Sequence, residues 1–262
     1  MSTRIFGSGI KRREDPRLIT GKAKYTDDIK LPGTLHMAVV RSPYAHANIK
    51  SVDTSAAEAM EGVVAVFTGA DLEGLASIPS AWLIPDSDLI IPDHPALAKD
   101  KVRHVGDGVA IVLAEDRYIA QDAAELVMVD YEELGAVVDP EKAAQDGAPQ
   151  LFDNVANNVA FTWVMGDKEA SDAVFDGADV VLSDKIIQQR LLPTAMEPRS
   201  ALAQYNSATN ELTMWVTTQN PHIHRFIISG ITGMPENKVR IIAPEVGGGF
   251  GSKLPVYADD AL

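Results

Sequence analysis

The sequence contains no cysteine among its 262 residues. This excludes disulfide bonds, cysteine-ligated iron–sulfur clusters and thiolate zinc sites within these residues. Positive charge is also scarce, because 23 Lys and Arg stand against 37 Asp and Glu and leave a formal net charge of −14. This balance argues against binding to nucleic acid or to an anionic membrane surface, since both reward basic side chains.

Long apolar runs are missing as well. No stretch approaches the roughly 20 apolar residues that cross a bilayer, and the N-terminus lacks the apolar core of a signal peptide. Hydrophobic residues nevertheless make up 46% of the chain, which is ordinary for a globular protein with a buried core. We therefore expect a cytoplasmic protein without a membrane span.

The hydrophobic pattern predicts strands and helices that alternate without regular βαβ spacing, which favours an α+β fold. Strands are predicted at residues 35–41, 49–52, 63–67, 109–113, 128–132, 159–164, 180–188, 201–205, 212–217 and 239–243. Helices are predicted at residues 117–127, after the cap Asp116, and from Pro221 to Ser229. A long excursion without regular structure is expected over Leu72–Lys99.

A glycine-rich segment, Gly-Gly-Gly-Phe-Gly-Ser-Lys (247–253), is the strongest candidate for a ligand site. Glycine permits positive φ and lets a ligand touch the main chain, and successive N–H groups can bind anionic oxygens. Two nucleotide-binding motifs do not fit. A P-loop needs Ser or Thr after its lysine, but Lys253 follows Ser252, and a dinucleotide fingerprint needs glycine where Ser252 stands. The segment holds another ligand, or it is a tight turn without one.

Gln219, in Thr-Thr-Gln-Asn-Pro (217–221), offers a planar amide donor before a predicted helix start. A bulky, oxygen-rich cofactor could be held between this amide and the glycine-rich segment. Alternatively, Gln219 satisfies a carbonyl at the end of a strand. His222 and His224 follow closely, but residues at i and i+2 lie on different helix faces and make a poor metal pair. We expect these two histidines to cap or to pack.

Two further charged residues are candidates for a structural role. Glu197, in Met-Glu-Pro-Arg (196–199), is a candidate buried acid that could pair with Arg199. Lys253 is expected to cap or to form an ion pair rather than to take part in catalysis.

Several motifs together resemble the large subunit of the molybdenum hydroxylases, the family of xanthine dehydrogenases, aldehyde oxidases and aerobic carbon monoxide dehydrogenases. They extend in order over nearly the whole chain. The motifs are Asp-Pro-Arg-Leu (15–18), Gly-Lys-Ala-Lys-Tyr-Thr-Asp-Asp (21–28), Arg-Ser-Pro-Tyr-Ala-His-Ala (41–47), Met-Glu-Pro-Arg (196–199), Thr-Gln-Asn-Pro-His (218–222), Pro-Glu-Asn-Lys-Val-Arg (235–240) and Ala-Pro-Glu-Val-Gly-Gly-Gly-Phe-Gly-Ser-Lys (243–253).

The resemblance implies a domain organisation. Residues 1–133 correspond to the α/β hammerhead domain, residues 134–158 to a linker, and residues 159–262 to the incomplete first part of the molybdopterin-binding domain. We therefore expect the N-terminal part of a molybdopterin-binding large subunit.

The resemblance also implies the site residues. Gln219 matches the glutamine whose side chain contacts the apical oxo ligand of molybdenum, and an amide donor there stabilises the oxo charge without competing as a ligand. Gly248, Gly249, Phe250 and Gly251 match the loop that lies against the metal centre and its pterin dithiolene. No residue is expected to bind the metal directly. The catalytic base of the family corresponds to a position beyond residue 262, so none is assigned here.

Cofactors and partners follow from the same resemblance. We expect molybdenum–molybdopterin, in a dinucleotide form such as the cytosine dinucleotide, with 2Fe–2S clusters and FAD on separate partner chains. The assembly is expected to be a dimer of heterotrimers. If the remaining C-terminal part of the large subunit is separately encoded, that part is expected as a further partner.

The implied activity is the hydroxylation or oxidation of a small substrate with water-derived oxygen. Leu254 stands where purine-oxidising members carry a glutamate, which favours a substrate of the carbon monoxide, aldehyde or N-heterocycle type over xanthine. The alternatives are a truncated, non-catalytic assembly module of such a complex, and a small-ligand pocket in an unrelated α+β protein.

Overall fold

The computed structural model describes residues 6–80, 83 and 87–262. The chain forms two compact units. The first unit combines the chain up to Thr34 with Thr194–Val256, and the second comprises Leu35–Pro193 and Tyr257–Leu262. Both units contain helices and strands, so the fold class is α+β, as predicted. The domain limits predicted at residues 133 and 158 stay a prediction.

The bounds of the elements in the described part of the chain are as follows. The helices are α1 (Asp15–Ile19), α2 (Ser55–Glu58), α3 (Arg117–Glu125), α4 (Pro140–Ala143), α5 (Lys168–Asp176), α6 (Pro221–Thr232) and α7 (Ala258–Ala261). The strands are β1 (His36–Arg41), β2 (Ala47–Asp53), β3 (Val63–Thr68), β4 (Lys101–Val102), β5 (Gly108–Ala114), β6 (Met128–Glu133), β7 (Ala201–Asn206), β8 (Glu211–Val216) and β9 (Val239–Ile242). Among these residues, no helix combines the length and apolarity that a bilayer span requires.

The second unit is built from two antiparallel sheets, ordered β1-β5-β3 and β4-β2-β6. Strand β5 is buried on both faces. Ala110 and Val112 pack with Ala123 of α3 in one hydrophobic cluster, whereas Val109 packs with Val102 in another. Because successive side chains of a strand point to opposite faces, this double burial explains the continuous apolar run of β5.

The first unit contains a three-stranded sheet of order β7-β8-β9. Strands β7 and β8 are antiparallel, whereas β8 and β9 run parallel, with Leu212 opposite Val239 and Trp215 opposite Ile242. Helix α6 provides the crossover that two parallel neighbours require. The carboxyl ends of β8 and β9 therefore lie at the same edge of the sheet.

Helix α6 begins and ends at residues that suit its termini. Pro221 stands in its first turn, where a missing N–H costs nothing, and Gly233 follows its last turn with φ of 71°. Its buried side chains, His224, Ile227, Ile228 and Ile231, recur at the helical period and form one inner face. The predicted helix start at Asn220-Pro221 is confirmed.

Two predicted strands are wrong. Residues 159–164 and 180–188 form no strand, and a helix that was not predicted, α5, lies between them with the side chain of Asp167 as its cap. The apolar run after α5 is largely solvent-exposed, as the exposed fractions of 88% for Leu182 and 90% for Ile186 illustrate. A strand forms only against a hydrogen-bonding neighbour, and in the described residues no strand pairs with this run.

The predicted excursion Leu72–Lys99 carries neither helix nor strand in its described residues. Its positions 81–82 and 84–86 lie outside the residues that the structure describes.

Candidate functional site at the ends of two parallel strands

Two loops converge at the carboxyl edge formed by β8 and β9. Gln219 follows β8 by a few residues, and the glycine-rich segment 247–253 follows β9. Ligands of parallel sheets bind outside the carboxyl ends of neighbouring strands. Gln219 and the glycine-rich segment, which the sequence predicted to act together, meet because β8 and β9 are parallel. Helix α6 separates the two strands along the chain.

The side chain of Gln219 is fixed by the glycine-rich segment. Its Oε1 accepts hydrogen bonds from the N–H of Gly251 at 3.0 Å and from the N–H of Lys253 at 3.3 Å. The N–H of Gln219 in turn donates to the carbonyl of Lys253 at 3.0 Å. The two hydrogen bonds to Oε1 fix the orientation of the amide group. Because Gln219 is exposed, its NH2 can donate to a ligand.

The segment turns sharply at Phe250. The N–H of Ser252 donates to the carbonyl of Gly249 at 2.9 Å, which closes a four-residue turn. Both central residues have positive φ, 51° at Phe250 and 89° at Gly251, as in a type I′ turn. Positive φ is unfavourable for a bulky residue, so the turn holds the exposed Phe250 ring outward at a cost in strain. Such strain is a feature of ligand-binding loops.

Two of the glycines lie in close contact with other side chains of the chain. A Cβ at Gly249 would lie 2.5 Å from Cδ and Oε1 of Gln219, and one at Gly247 would lie 2.6 Å from Cβ of Glu197. Around Gly251, by contrast, no atom lies within 4 Å of the Cβ position. The glycine at 249 thus admits the Gln219 side chain, whereas the glycine at 251 leaves open space beside the turn.

Glu197 and Lys253 form an ion pair behind the segment. Lys253 Nζ lies 3.1 Å from Glu197 Oε2, and the same oxygen accepts a hydrogen bond from the N–H of Gly247 at 2.6 Å. The pairing role expected of Lys253 is confirmed. Its partner is one that the sequence analysis did not identify, since Glu197 had been considered with Arg199.

Residues 17–25 contact the residues at the start of the glycine-rich segment. Arg17 Nε donates to Glu245 Oε1, which raises the pKa of Arg17 because the bond favours its charged form. The N–H of Glu245 also donates to the carbonyl of Lys24 at 3.2 Å. The ring of Tyr25 lies against Gly247, at 3.4 Å from the position a Cβ would take.

The two nearby histidines lie on different faces of α6. His224 is 1% exposed and belongs to the inner face of the helix, whereas His222 is exposed to solvent. The packing role expected for His224 is confirmed, whereas His222 is too exposed for a role in the core. That the two histidines do not form a metal pair stays a prediction.

The arrangement fits an oxygen-rich cofactor. Gln219 presents an oriented amide donor, the turn Gly249–Ser252 exposes main chain with little side-chain cover, and Phe250 adds an exposed aromatic face. A carboxamide donates to oxo or phosphate oxygens without displacing a ligand from a metal. The donor set therefore suits the molybdopterin group implied by the motifs.

Comparison with known proteins agrees with the motifs. Residues 20–135 match the model of the aldehyde oxidase and xanthine dehydrogenase a/b hammerhead domain, and residues 151–262 match that of the molybdopterin cofactor-binding domain. The carbon monoxide dehydrogenase large chain of Afipia carboxidovorans is 42% identical, over 97% of this chain and 32% of its own length.

Two further comparisons point the same way. The nicotine 6-hydroxylase large subunit of Paenarthrobacter nicotinovorans is 39% identical, over 98% of this chain and 31% of its own length. The crystal structure of quinoline 2-oxidoreductase from Pseudomonas putida 86 superposes with a TM-score of 0.89 at 37% identity, over 97% of this chain and 32% of that chain. The chain thus spans about a third of the length of these relatives.

Both domain models lie in the order that the motifs predicted, and the fold agrees with that of the solved relatives. The chain belongs to the molybdenum hydroxylase family, the aldehyde oxidases and xanthine dehydrogenases, and corresponds to the N-terminal part of its molybdopterin-binding large subunit.

Proposed function

We propose that this chain is the part of an oxidoreductase large subunit that presents Gln219 and the glycine-rich segment to a molybdenum cofactor. The observation that carries the proposal is the double hydrogen bond from Gly251 and Lys253 to Gln219 Oε1, at 3.0 and 3.3 Å. These bonds fix the amide through its oxygen and leave the NH2 as the group that can donate to a ligand. A donor fixed in advance loses little entropy when it meets a ligand oxygen.

Each site residue has a physical role in this proposal. The NH2 of Gln219 donates to an oxygen of the molybdenum centre, and the open space beside Gly251 lets the cofactor approach the main chain closely. Gly248 and Gly249 make room for the side chains of Phe250 and Gln219 that face the cofactor. The Phe250 ring covers one side of the site and excludes water. When bound, the molybdenum centre supplies two-electron oxidation chemistry with water as the source of oxygen.

We propose a small substrate of the carbon monoxide, aldehyde or N-heterocycle type. Leu254, the residue after Lys253, is apolar and 46% exposed. A leucine offers no charge or hydrogen bond to a purine, which supports a small or apolar substrate over xanthine. The matched relatives include a carbon monoxide dehydrogenase and a nicotine 6-hydroxylase, which is consistent with this range.

The cofactor complement and the partners are part of the same proposal. The molybdopterin is proposed to be a dinucleotide form such as the cytosine dinucleotide. These 262 residues hold no cysteine that could ligate a cluster. The 2Fe–2S clusters and FAD are proposed to lie on an iron–sulfur and a flavin subunit, in a cytoplasmic dimer of heterotrimers. The relatives are described as a large chain and a large subunit, which supports an assembly of several subunits.

The exposed apolar run after α5 supports contact with the remaining part of a molybdopterin-binding large subunit. Val180, Leu182, Ile186 and Ile187 are each at least 75% exposed, although their composition suits a strand. A contiguous apolar surface of this kind marks an interaction site. A strand from the rest of the large subunit would pair with this run and bury it.

The rival function is a non-catalytic assembly module, and the exposed apolar run would suit that function equally well. Metal analysis separates the two. The protein is purified with its native partners, and molybdenum and the fluorescent oxidation product of the pterin are measured per chain. We expect about one of each, and Gln219→Ala should lose turnover, whereas Gln204→Ala, on the exposed surface of β7, should not. The absence of molybdenum and pterin from the complex would favour the assembly module.

A further inference from the structure

An ion pair that is largely removed from solvent lies behind the glycine-rich segment. The side chain of Lys253 is 1% exposed and that of Glu197 is 14% exposed. Lys253 Nζ contacts Glu197 twice, through Oε2 at 3.1 Å and through the main-chain carbonyl at 2.9 Å. The ammonium group is therefore bound to both the side chain and the backbone of Glu197.

The pair attaches both ends of the segment to one residue. Gly247, at its start, donates its N–H to Glu197 Oε2 at 2.6 Å, and its carbonyl accepts from the N–H of Glu197 at 3.2 Å. Lys253, at its end, reaches the same carboxylate oxygen through Nζ. A single carboxylate therefore links the two residues, Gly247 and Lys253, that flank the turn at Phe250.

Lys253 also connects this pair with Gln219. Its N–H donates to Gln219 Oε1 at 3.3 Å, and its carbonyl accepts from the N–H of Gln219 at 3.0 Å. The same carbonyl lies 3.4 Å from the hydroxyl of Thr218. Lys253 therefore uses its side chain to hold Glu197 and its main chain to hold Gln219.

Stability alone does not explain an ion pair at this place. Desolvation of two charges offsets most of their attraction, so a well-packed apolar pair is often at least as stable. In addition, Glu197 Oε1 is buried without a hydrogen-bond partner among the described residues, which is a further cost. What the pair provides that an apolar pair cannot is a fixed geometry at Gly247 and Lys253.

We propose that Glu197 and Lys253 are positioning residues that hold the glycine-rich segment and the Gln219 amide in register for the cofactor. This role rests on the function proposed above. The pair does not touch the cofactor. It acts through the N–H groups of Gly251 and Lys253, which orient Gln219 only while the ends of the segment stay fixed.

The test compares Lys253→Met, Glu197→Gln and the double variant in the protein purified with its native partners. Amide hydrogen exchange is measured by mass spectrometry in peptides covering residues 217–220 and 247–254, and molybdenum is measured per folded chain. Lys238→Met is the matched control, because Lys238 forms an exposed ion pair with Glu211 at 3.2 Å in the same unit.

We expect Lys253→Met to raise exchange in both peptides by at least about tenfold and to lower molybdenum content, while exchange of β5 stays unchanged. The double variant removes both charges, so its midpoint of thermal unfolding should return to that of the unaltered protein. Its slow hydrogen exchange and its molybdenum content should not return. A merely structural pair would recover all three. If Lys253→Met does not fold, Glu197→Ala gives the same comparison, because it removes the oxygen that accepts from both Gly247 and Lys253.

Unchanged exchange at 247–254 in folded Lys253→Met or Glu197→Ala would overturn the positioning role, as would full recovery of slow exchange and molybdenum content in the double variant. The function proposed above is judged separately. If the unaltered complex contains no molybdenum, that function fails, whereas the exchange comparison still decides whether the pair positions the segment.

Discussion

Replacement of Gly249 by alanine tests the contact on which the site depends. The new Cβ would lie 2.5 Å from Cδ and Oε1 of Gln219 and 2.7 Å from its Cγ, closer than real Cβ contacts allow. Because Gly249 does not have positive φ, its backbone tolerates alanine. The strain therefore falls on the Gln219 side chain, which is exposed and can swing outward.

The expected cost follows from the two hydrogen bonds that Gln219 Oε1 would lose. Each contributes about 0.5–1.5 kcal/mol net, so their loss costs roughly 1–3 kcal/mol. Alanine also reduces the conformational freedom of the unfolded chain, which returns about 0.4–1 kcal/mol. We expect Gly249→Ala to lower the free energy of unfolding by about 1–2 kcal/mol.

Urea unfolding followed by tryptophan fluorescence measures this change, since Trp215 lies on β8 in the same unit. In a Gln219→Ala background the clashing atoms are gone, so Gly249→Ala should cost nothing further. Gly230→Ala is the control, because Gly230 lies in α6 with no atom near its Cβ position and should gain up to about 1 kcal/mol. An equal cost of Gly249→Ala with and without the Gln219 side chain would refute this reasoning.

Three further predictions concern other parts of the chain. Leu97→Ala should lower the free energy of unfolding by about 2–5 kcal/mol, because Leu97 is 2% exposed and its removal leaves a cavity; a loss below about 1 kcal/mol in urea unfolding would contradict this. Phe250→Gly should relieve positive φ and leave stability equal or about 1 kcal/mol higher while molybdenum content falls; a clear loss of stability would count against backbone strain at Phe250. Hydrogen bonds from the N–H and the hydroxyl of Thr68 lower the pKa of Asp71. The ionised Asp71 carboxylate therefore stabilises the fold above the ordinary carboxyl pKa. This stabilisation is lost as pH falls through the lower pKa of the folded state. Asp71→Asn should therefore reduce stability near neutral pH more than near pH 3, and equal losses at both pH values would contradict this.

The strands and helices whose signals are local could be predicted from the sequence. Strand β5 shows a continuous apolar run because both of its faces are buried, and α6 shows Pro221 at its start and apolar residues at helical spacing. Both patterns are contained within a dozen neighbouring residues. The predicted elements agree with the structure there to within a few residues.

The strand predicted at 180–188 fails for a non-local reason. Its β-branched and apolar residues suit a strand, but a strand also needs a neighbour that accepts and donates main-chain hydrogen bonds. The sequence of a segment does not reveal whether such a neighbour is present. In the described residues the run 180–188 has none and stays exposed.

The site was predictable only in part. The resemblance identified Gln219 and the glycine-rich segment, and the parallel pairing of β8 and β9 explains physically why they meet. The link between Glu197 and Lys253 was missed, because 56 positions separate them and a nearer basic residue, Arg199, competed for the same role. A glutamate in an apolar context and a lysine ending a glycine-rich segment were the available signals.

Molybdenum content and turnover of Gln219→Glu test the central claim most directly. A carboxylate can still accept hydrogen bonds from Gly251 and Lys253, so the turn is kept, but it has no N–H to donate to the cofactor. In the complex purified with its native partners, we predict that turnover per chain falls by about 10- to 100-fold, a typical cost of removing such a supporting contact, while Gln204→Glu has no effect. Unaltered molybdenum content and turnover in Gln219→Glu would contradict the claim that this amide binds the cofactor.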